Sequence, residues 1–145
     1  MFEIEPADHL TDEIHQAVVR LLPHLSKSSP APTAEQVGEI ANSPATVLFL
    51  ARDGAGGPIV GTLTLAMFRI PSGLRAWIED VIVDPAVEGR GCGRQLTQAA
   101  LDAARAAGAR TVELTSRPSR EAANHLYQRL GFQIRDTNVY RYDLA

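Results

Sequence analysis

The feature that most constrains this chain is a glycine-rich turn between an apolar strand and a long helix. It reads Glu88-Gly89-Arg90-Gly91-Cys92-Gly93 and follows the apolar stretch 81–83 after a short interval. Glycines let a backbone approach an anion closely, and the first amides of a helix donate hydrogen bonds at the positive end of its dipole. Arg90 and Arg94 add positive charge beside these amides. The pattern therefore predicts a cradle for a pyrophosphate.

Two other phosphate-binding loops are also rich in glycine. A P-loop requires Gly-Lys-Ser/Thr, which this segment lacks. A dinucleotide-binding fingerprint requires another glycine three residues after Gly93, where this chain has Leu96, although Glu113 fits the acidic residue of that fingerprint. Three predicted antiparallel strands also precede the loop, whereas a Rossmann cradle usually opens the first βαβ unit. A tight turn without a ligand remains the simplest alternative, but it does not require three glycines flanked by two arginines.

The pattern of apolar residues predicts an α/β (α+β) fold with one mixed sheet of about seven strands and helices on both faces. Three successive strands joined by short turns indicate an antiparallel meander, and a later strand-helix-strand unit adds a parallel segment. The predicted strands are Phe2–Glu5, Thr46–Arg52, Ile59–Ile70, Leu74–Asp84, Arg110–Thr115, Phe132–Asp136 and Val139–Asp143. The predicted helices begin near Asp8, at Thr33 with a capping box, near Gly91 and at Ser119.

Length and composition predict a single domain over residues 1–145. The chain is 45% apolar and 21% charged, which is typical of a folded globular protein. Its only cysteine, Cys92, excludes an intrachain disulfide, and its four histidines lack the spacing of metal ligands. We therefore expect no metal. The loop Ser26–Pro32 is either a plain connector or a mobile lid over a substrate site.

Charge and hydropathy bear on partners and location. The formal net charge of −3 offers no basic surface for a phosphate backbone, so we expect no nucleic acid partner. The N-terminus has no basic and apolar signal pattern, and the apolar stretches are too short to span a bilayer. We therefore expect no membrane association and a cytoplasmic location.

A second motif, Ala122-Ala-Asn-His-Leu-Tyr-Gln-Arg-Leu-Gly-Phe132, accompanies the glycine-rich turn. With both motifs in this order, the chain resembles the GCN-five-related N-acetyltransferases (GNAT) over nearly its whole length. The first motif of that family reads Arg/Gln-x-x-Gly-x-Gly/Ala, and Glu88 stands here where Arg or Gln is usual. The resemblance implies an enzyme that moves an acetyl group from acetyl-CoA directly to a primary amine, on a small molecule or a protein.

The resemblance also implies which residues bind the cofactor. The backbone of Val81, Ile82 and Val83 would hydrogen-bond the pantetheine as an extra strand does, although these residues are also ordinary core positions. The pyrophosphate would lie on Gly89, Arg90, Gly91, Cys92, Gly93 and Arg94. In the second motif Asn124 and Arg120 would contact the cofactor, and Arg120 replaces the asparagine that is common in the family.

Glu79 is the predicted general base. At pH 7 only about one alkyl amine in a thousand is neutral, so a carboxylate that removes a proton, through a water, assists the attack. The family often has a glutamate at this place in the central strand. The alternative is that Glu79 pairs with Arg75 or Arg117. Strand alternation directs Asp80 to the opposite face unless a bulge intervenes.

Tyr127 is the predicted general acid, which would protonate the departing CoA thiolate. On a helix it shares one stripe with Arg120 and Asn124. The alternative is a packed tyrosine whose hydroxyl bonds to the backbone. A non-catalytic acyl-CoA-binding or sensing module is the competing hypothesis for the whole chain, and the resemblance further implies a homodimer through residues 132–143.

Overall fold

One open, mixed sheet organises most of the chain. The computed structural model describes all 145 residues, which form two units, Met1–Thr115 and Ser116–Ala145. The strands lie in the order β1-β2-β3-β4-β5, the first four antiparallel and β5 parallel to β4. Their bounds are β1 Phe2–Pro6, β2 Thr46–Asp53, β3 Ile59–Ile70, β4 Gly73–Val83 and β5 Val112–Glu113. The predicted mixed sheet and its antiparallel meander are confirmed.

Four α-helices accompany the sheet, and their ends follow local sequence signals. They are α1 Asp12–Leu21, α2 Ala34–Asn42, α3 Cys92–Ala107 and α4 Glu121–Leu130. The capping box of α2 forms as predicted, because Thr33 Oγ1 accepts from the Gln36 amide and Gln36 Oε1 accepts from the Thr33 amide. None of these helices combines the length and the apolarity needed to cross a bilayer.

Helices cover both faces of the sheet. One face packs against α1 and α2 in a cluster that includes Ile14, Leu21, Val37, Leu48, Leu50 and Ile82. The other face packs against α3, because a Cβ placed on Gly61 would lie 2.9 Å from Cys92 Sγ and 3.1 Å from Leu96 Cδ1. These are two different faces of the sheet. Leu50 belongs to the cluster with α1 and α2, and the next residue, Ala51, is the strand partner of Gly61. Consecutive residues of a strand point to opposite faces.

The prediction of about seven strands is wrong. Phe132–Asp136 and Val139–Asp143 form no strand, and the predicted strand Arg110–Thr115 is reduced to Val112–Glu113. The apolar side chains of the last segment are almost fully exposed: Ile134 86%, Val139 76%, Tyr140 88%, Tyr142 87% and Leu144 94%. An alternating pattern favours an extended backbone, but a strand exists only when a neighbouring strand completes its hydrogen bonds. Residues 132–145 have no such neighbour.

Candidate functional site

The glycine-rich turn presents a series of free backbone amides. Gly89 and Gly91 adopt left-handed conformations, with φ of 80° and 89°, and Gly91 is the N-cap of α3. The amides of Gly89 and of residues 91–94 donate no hydrogen bond within the protein, and the first helical bond runs from the Gln95 amide to the Gly91 carbonyl at 3.0 Å. Unbonded amides at the start of a sixteen-residue helix are the donors that the predicted anion-binding cradle requires.

The two arginines of this turn differ in their surroundings. Arg90 donates two hydrogen bonds to the Asp53 carboxylate, at 3.1 and 3.2 Å, and its guanidinium lies 4.9 Å from the centre of the Phe2 ring. The Arg90 guanidinium lowers the pKa of Asp53 below its usual value. Arg94 is exposed and forms no ion pair. The side chain of Arg90 therefore ties the turn to the end of β2, whereas that of Arg94 is available to an anion.

Glu88 is the residue that departs from the family pattern, and its amide is already hydrogen-bonded within the protein. It donates to the Pro85 carbonyl at 3.2 Å and closes the 3₁₀ turn Pro85–Val87. The Glu88 side chain is exposed. The free amides of the cradle therefore begin one residue later, at Gly89.

The Cys92 side chain is buried beside Gly61 and is not a nucleophile. It is 2% exposed, and burial is the largest cause that raises the pKa of its thiol from 9.0 to about 11. The thiol is therefore protonated at neutral pH. Of Cys92, only the backbone amide is free to contribute to the cradle.

The β4 strand has an open edge next to this cradle. β5 pairs with β4 only at Ala76–Val112 and Trp77–Glu113, although β4 continues for six more residues to Val83. On its other side, β4 is hydrogen-bonded to β3 as far as Gly61–Val83. Residues 81–83 therefore lie on an edge that β5 does not cover, as an extended ligand that pairs with Val81, Ile82 and Val83 would require.

A β-bulge interrupts the alternation of β4 at Asp80. Thr62 pairs with Ile82 and Thr64 pairs with Glu79, so two residues of β4 stand opposite one residue of β3. Asp80 is the only residue other than glycine with a positive φ, 49°. As a result, the Glu79 and Asp80 side chains are both exposed. The alternation expected for Asp80 does not hold through this bulge.

Glu79 is held by a tryptophan and not by an arginine. Trp77 Nε1 donates a hydrogen bond of 2.6 Å to Glu79 Oε1, and the two residues lie two positions apart on one face of β4. Arg75, a partner considered from the sequence, instead approaches the Glu113 carboxylate oxygens at 3.3 and 3.4 Å. The role of Trp77 was not predicted, although its spacing of two residues from Glu79 was a usable signal.

The second unit contains the remaining predicted residues, on or beside α4. The Tyr127 side chain is 7% exposed, and its ring meets that of Phe132 edge to face, with centroids 5.7 Å apart. Burial raises the pKa of the Tyr127 phenol, so the phenol is protonated at neutral pH. Its hydroxyl makes no hydrogen bond in the structure, unlike that of a tyrosine tied to the backbone.

Asn124 and Arg120 act locally at the start of α4. Asn124 Nδ2 donates to the carbonyls of Arg117 and Arg120, both at 2.9 Å. Arg120 is the N-cap residue of α4 and is exposed. Asn124 therefore stabilises the turn that leads into the helix, and its Oδ1 atom is not used in these bonds.

The structure contains no group of three or more His, Cys, Asp or Glu side chains that could hold a metal ion. Glu79 and the cradle belong to the first unit, whereas Arg120, Asn124 and Tyr127 belong to the second.

Comparison with known proteins identifies a family that the chain matches. The model of the family described as "Acetyltransferase (GNAT) family" matches residues 12–132. A mycothiol acetyltransferase from Beutenbergia cavernae is 36% identical over 87 residues, which make up 60% of this chain and 28% of that protein. The matched part of the chain thus spans just over a quarter of the length of this relative.

Solved structures match over almost the whole chain. An acetyltransferase from Trypanosoma brucei has a TM-score of 0.78 at 26% identity, and the match covers 99% of this chain and 100% of that one. AAC(6')-Iy, solved in complex with the bisubstrate analog CoA-S-monomethyl-acetylneamine, has a TM-score of 0.80 at 18% identity over 100% and 99% of the two chains. The second likeness shows the fold alone.

Proposed function

Because this chain belongs to the GNAT acetyltransferase family, we propose that it moves an acetyl group from acetyl-CoA directly to a primary amine. The observation that carries this proposal is the run of unbonded amides at Gly89 and residues 91–94, at the start of α3 and beside the open edge of β4. A pyrophosphate requires several donors in one place, and an extended pantetheine requires a free strand edge. The chain offers both within fifteen residues, from 80 to 94.

In the proposed complex the amides of the turn and the guanidinium of Arg94 hold the pyrophosphate. Arg90 contributes by fixing the turn through Asp53. Those carbonyls and amides of Val81, Ile82 and Val83 that point away from β3 pair with the pantetheine. No metal takes part, because the amides and Arg94 supply the positive electrostatic potential that the phosphates need. Arg120 and the Oδ1 atom of Asn124 are the further contacts to the cofactor that the family resemblance implies.

The proposed chemistry uses one base and one acid. The amine nitrogen attacks the acetyl carbonyl, and its proton passes through a water to Glu79. The C–S bond then breaks, and Tyr127 gives its proton to the departing sulfur, which leaves as the CoA thiol. The exposed carboxylate of Glu79 supports the first role. The protonated Tyr127 phenol, with an uncommitted hydroxyl, supports the second.

The release of CoA thiol with a panel of amines tests this proposal. Glu79→Gln and Tyr127→Phe should each lower kcat by about 10²-fold or more, because general acid or base help is typically of that size. Both variants should retain their affinity for acetyl-CoA. Asp80→Asn is the matched control, since it neutralises the neighbouring exposed carboxylate and should leave turnover nearly unchanged.

A non-catalytic acyl-CoA-binding or sensing module is the competing function. It predicts a thermal shift with acetyl-CoA and CoA, no thiol release with any amine, and no effect of Glu79→Gln. A shift only with NAD or ATP would overturn the cradle assignment, and with it both functions.

We also propose a homodimer that forms through residues 132–143, in a cytoplasmic protein. The exposed apolar side chains of this segment support the first proposal, because such side chains gain free energy when a partner covers them.

A further inference from the structure

A polar groove lies at the end of β4 opposite the cradle. Its volume is about 360 Å³, and it forms where the β3–β4 turn meets the start of β5. The lining comes from residue 70, residues 72–75, Arg110 and Thr111. β4 runs from Gly73 to Val83, so about 30 Å of strand separates this groove from the strand end that leads to the cradle. The groove is therefore distinct from the proposed pyrophosphate site.

Two arginines and two residues with hydroxyl groups line the groove. Arg110 is exposed and has no carboxylate partner, and its Cδ atom lies 3.6 Å from where a Cβ on Gly73 would stand. Arg75 has one carboxylate partner, Glu113, at the long distances of 3.3 and 3.4 Å. The hydroxyls of Ser72 and Thr111 make no hydrogen bond in the protein. Two guanidiniums and two hydroxyls in one groove are suited to a carboxylate or a phosphate.

One residue of the groove, Arg75, lies on the same strand as the proposed base, Glu79. Arg75, Trp77 and Glu79 alternate along β4 and share one face of the sheet. Four residues separate Arg75 from Glu79, which is about 13 Å of strand. A ligand whose amine lies at Glu79 and which extends along this face therefore reaches Arg75 and Arg110 with its other end.

We infer that the acceptor amine carries a carboxylate or phosphate group about 13 Å from its nucleophilic nitrogen, and that Arg110 and Arg75 bind this group. The inference rests on the proposed acetyl transfer at Glu79. The groove thus selects among amines by the charge at their far end, whereas Glu79 accepts a proton from any of these amines.

Matched pairs of amines test the inference. Tetraglycine has its carboxylate about 13 Å from its amine when extended, and tetraglycinamide differs only by the absence of that charge. Aminooctyl phosphate and aminooctanol form the corresponding phosphate pair. Binding to the CoA-loaded protein, measured by calorimetry at low ionic strength, needs no turnover. Acetylation, measured as kcat/KM, is the second readout.

The protein should bind the anionic member of at least one pair about tenfold more tightly, a ratio typical of one charge-assisted hydrogen bond. The pair with the larger ratio distinguishes a carboxylate acceptor from a phosphate acceptor. Arg110→Gln should abolish the preference. Arg69→Gln, which removes an exposed arginine of the same hairpin outside the groove, should retain it.

Equal affinity within both pairs, or a preference that survives Arg110→Gln, would overturn the inference. If the amines are acetylated at equal rates, the acetyl transfer stands and the groove assignment fails. If the anionic amines bind selectively but no amine is acetylated, the proposed function fails, and with it the assignment of the groove to an acceptor.

Discussion

At the scale of single residues, the proposed base Glu79 is held by an uncharged donor and not by the arginine on the same face of β4. Glu79 bonds to the indole of Trp77, and Arg75 approaches Glu113. The indole nitrogen donates one hydrogen and brings no net charge, so it restricts the rotamer of Glu79 without forming an ion pair with the carboxylate.

Trp77→Phe should lower kcat about three- to tenfold and leave acetyl-CoA affinity unchanged. The phenyl ring preserves the aromatic surface but has no donor for Glu79, and a hydrogen bond to a charged group in an exposed site has an energy of this order. Steady-state kinetics with the best amine measure the effect. In the Glu79→Gln variant, Trp77→Phe should lower kcat no further. An additive loss of kcat would contradict the proposal that Trp77 acts by positioning Glu79.

Cys92 should resist alkylation in the native state. Burial raises the pKa of its thiol to about 11, so iodoacetamide at pH 8 should react far more slowly with the folded protein than with the urea-unfolded chain.

The raised pKa of the Cys92 thiol also contributes stability that is fully present below about pH 9 and is lost as the pH rises toward 11. The free energy of unfolding, measured with urea between pH 8 and 11, should therefore fall more steeply with pH for the unaltered protein than for Cys92→Ala. Equal slopes would contradict this assignment.

At the scale of elements, the turn before α3 is attached to the end of β2. Asp53 closes β2, and Arg90 belongs to the turn, so their paired hydrogen bonds join segments 37 residues apart in the chain. The stack of the Arg90 guanidinium on Phe2 adds β1 to this attachment. The cradle is therefore positioned from the first two strands as well as from β4.

Asp53→Asn and Arg90→Ala should each weaken acetyl-CoA binding about two- to fivefold. Exposed ion pairs contribute modestly, and either change releases the same turn. The double variant should bind no worse than either single variant. Asp102→Asn, which removes an exposed helical ion pair with Arg105, is the matched control and should have no effect. Tighter binding by Asp53→Asn would show instead that the freed Arg90 binds the phosphates.

At the scale of the whole molecule, the apolar side chains near the C-terminus have no cover within the chain. Ile134, Tyr140, Tyr142 and Leu144 are each at least 86% exposed. Tyr140, Tyr142 and Leu144 alternate, so in an extended conformation they share one face. Such a face is suited to a second copy of the chain, which carries the same self-complementary surface.

Light scattering during gel filtration should give a mass near twice the 15.7 kDa of one chain. Changing Tyr140 and Tyr142 together to Glu should shift the mass to that of a monomer, because like charges would then lie on the shared face. Thr137→Glu, an exposed position in the same segment but outside the alternation of residues 140, 142 and 144, should not. If light scattering gives the mass of a monomer at every protein concentration, the proposed dimer is wrong.

Sequence alone was sufficient for features that depend on neighbouring residues. The glycine-rich turn and the capping box of α2 follow from residues within a few positions, because left-handed backbone and terminal amides are local properties. The antiparallel strands β2, β3 and β4 followed for the same reason, since short turns join consecutive apolar stretches. The starts of α1, at Asp12 and not near Asp8, and of α4, at Glu121 and not Ser119, differ from the predicted ones. Glu79 and Tyr127 came from the family resemblance, and their catalytic roles remain predictions.

Tertiary structure decided what depends on distant partners. The pairing of Arg90 with Asp53, and of Arg75 with Glu113, brings together residues 37 and 38 positions apart, which no local pattern specifies. The bulge at Asp80 arises from the register between β3 and β4, so alternation within β4 does not reveal it. The two strands predicted after Phe132 are absent for the same physical reason. A sequence can favour an extended backbone, but a strand also requires a neighbouring strand to hydrogen-bond with, and the tertiary structure decides whether one is present.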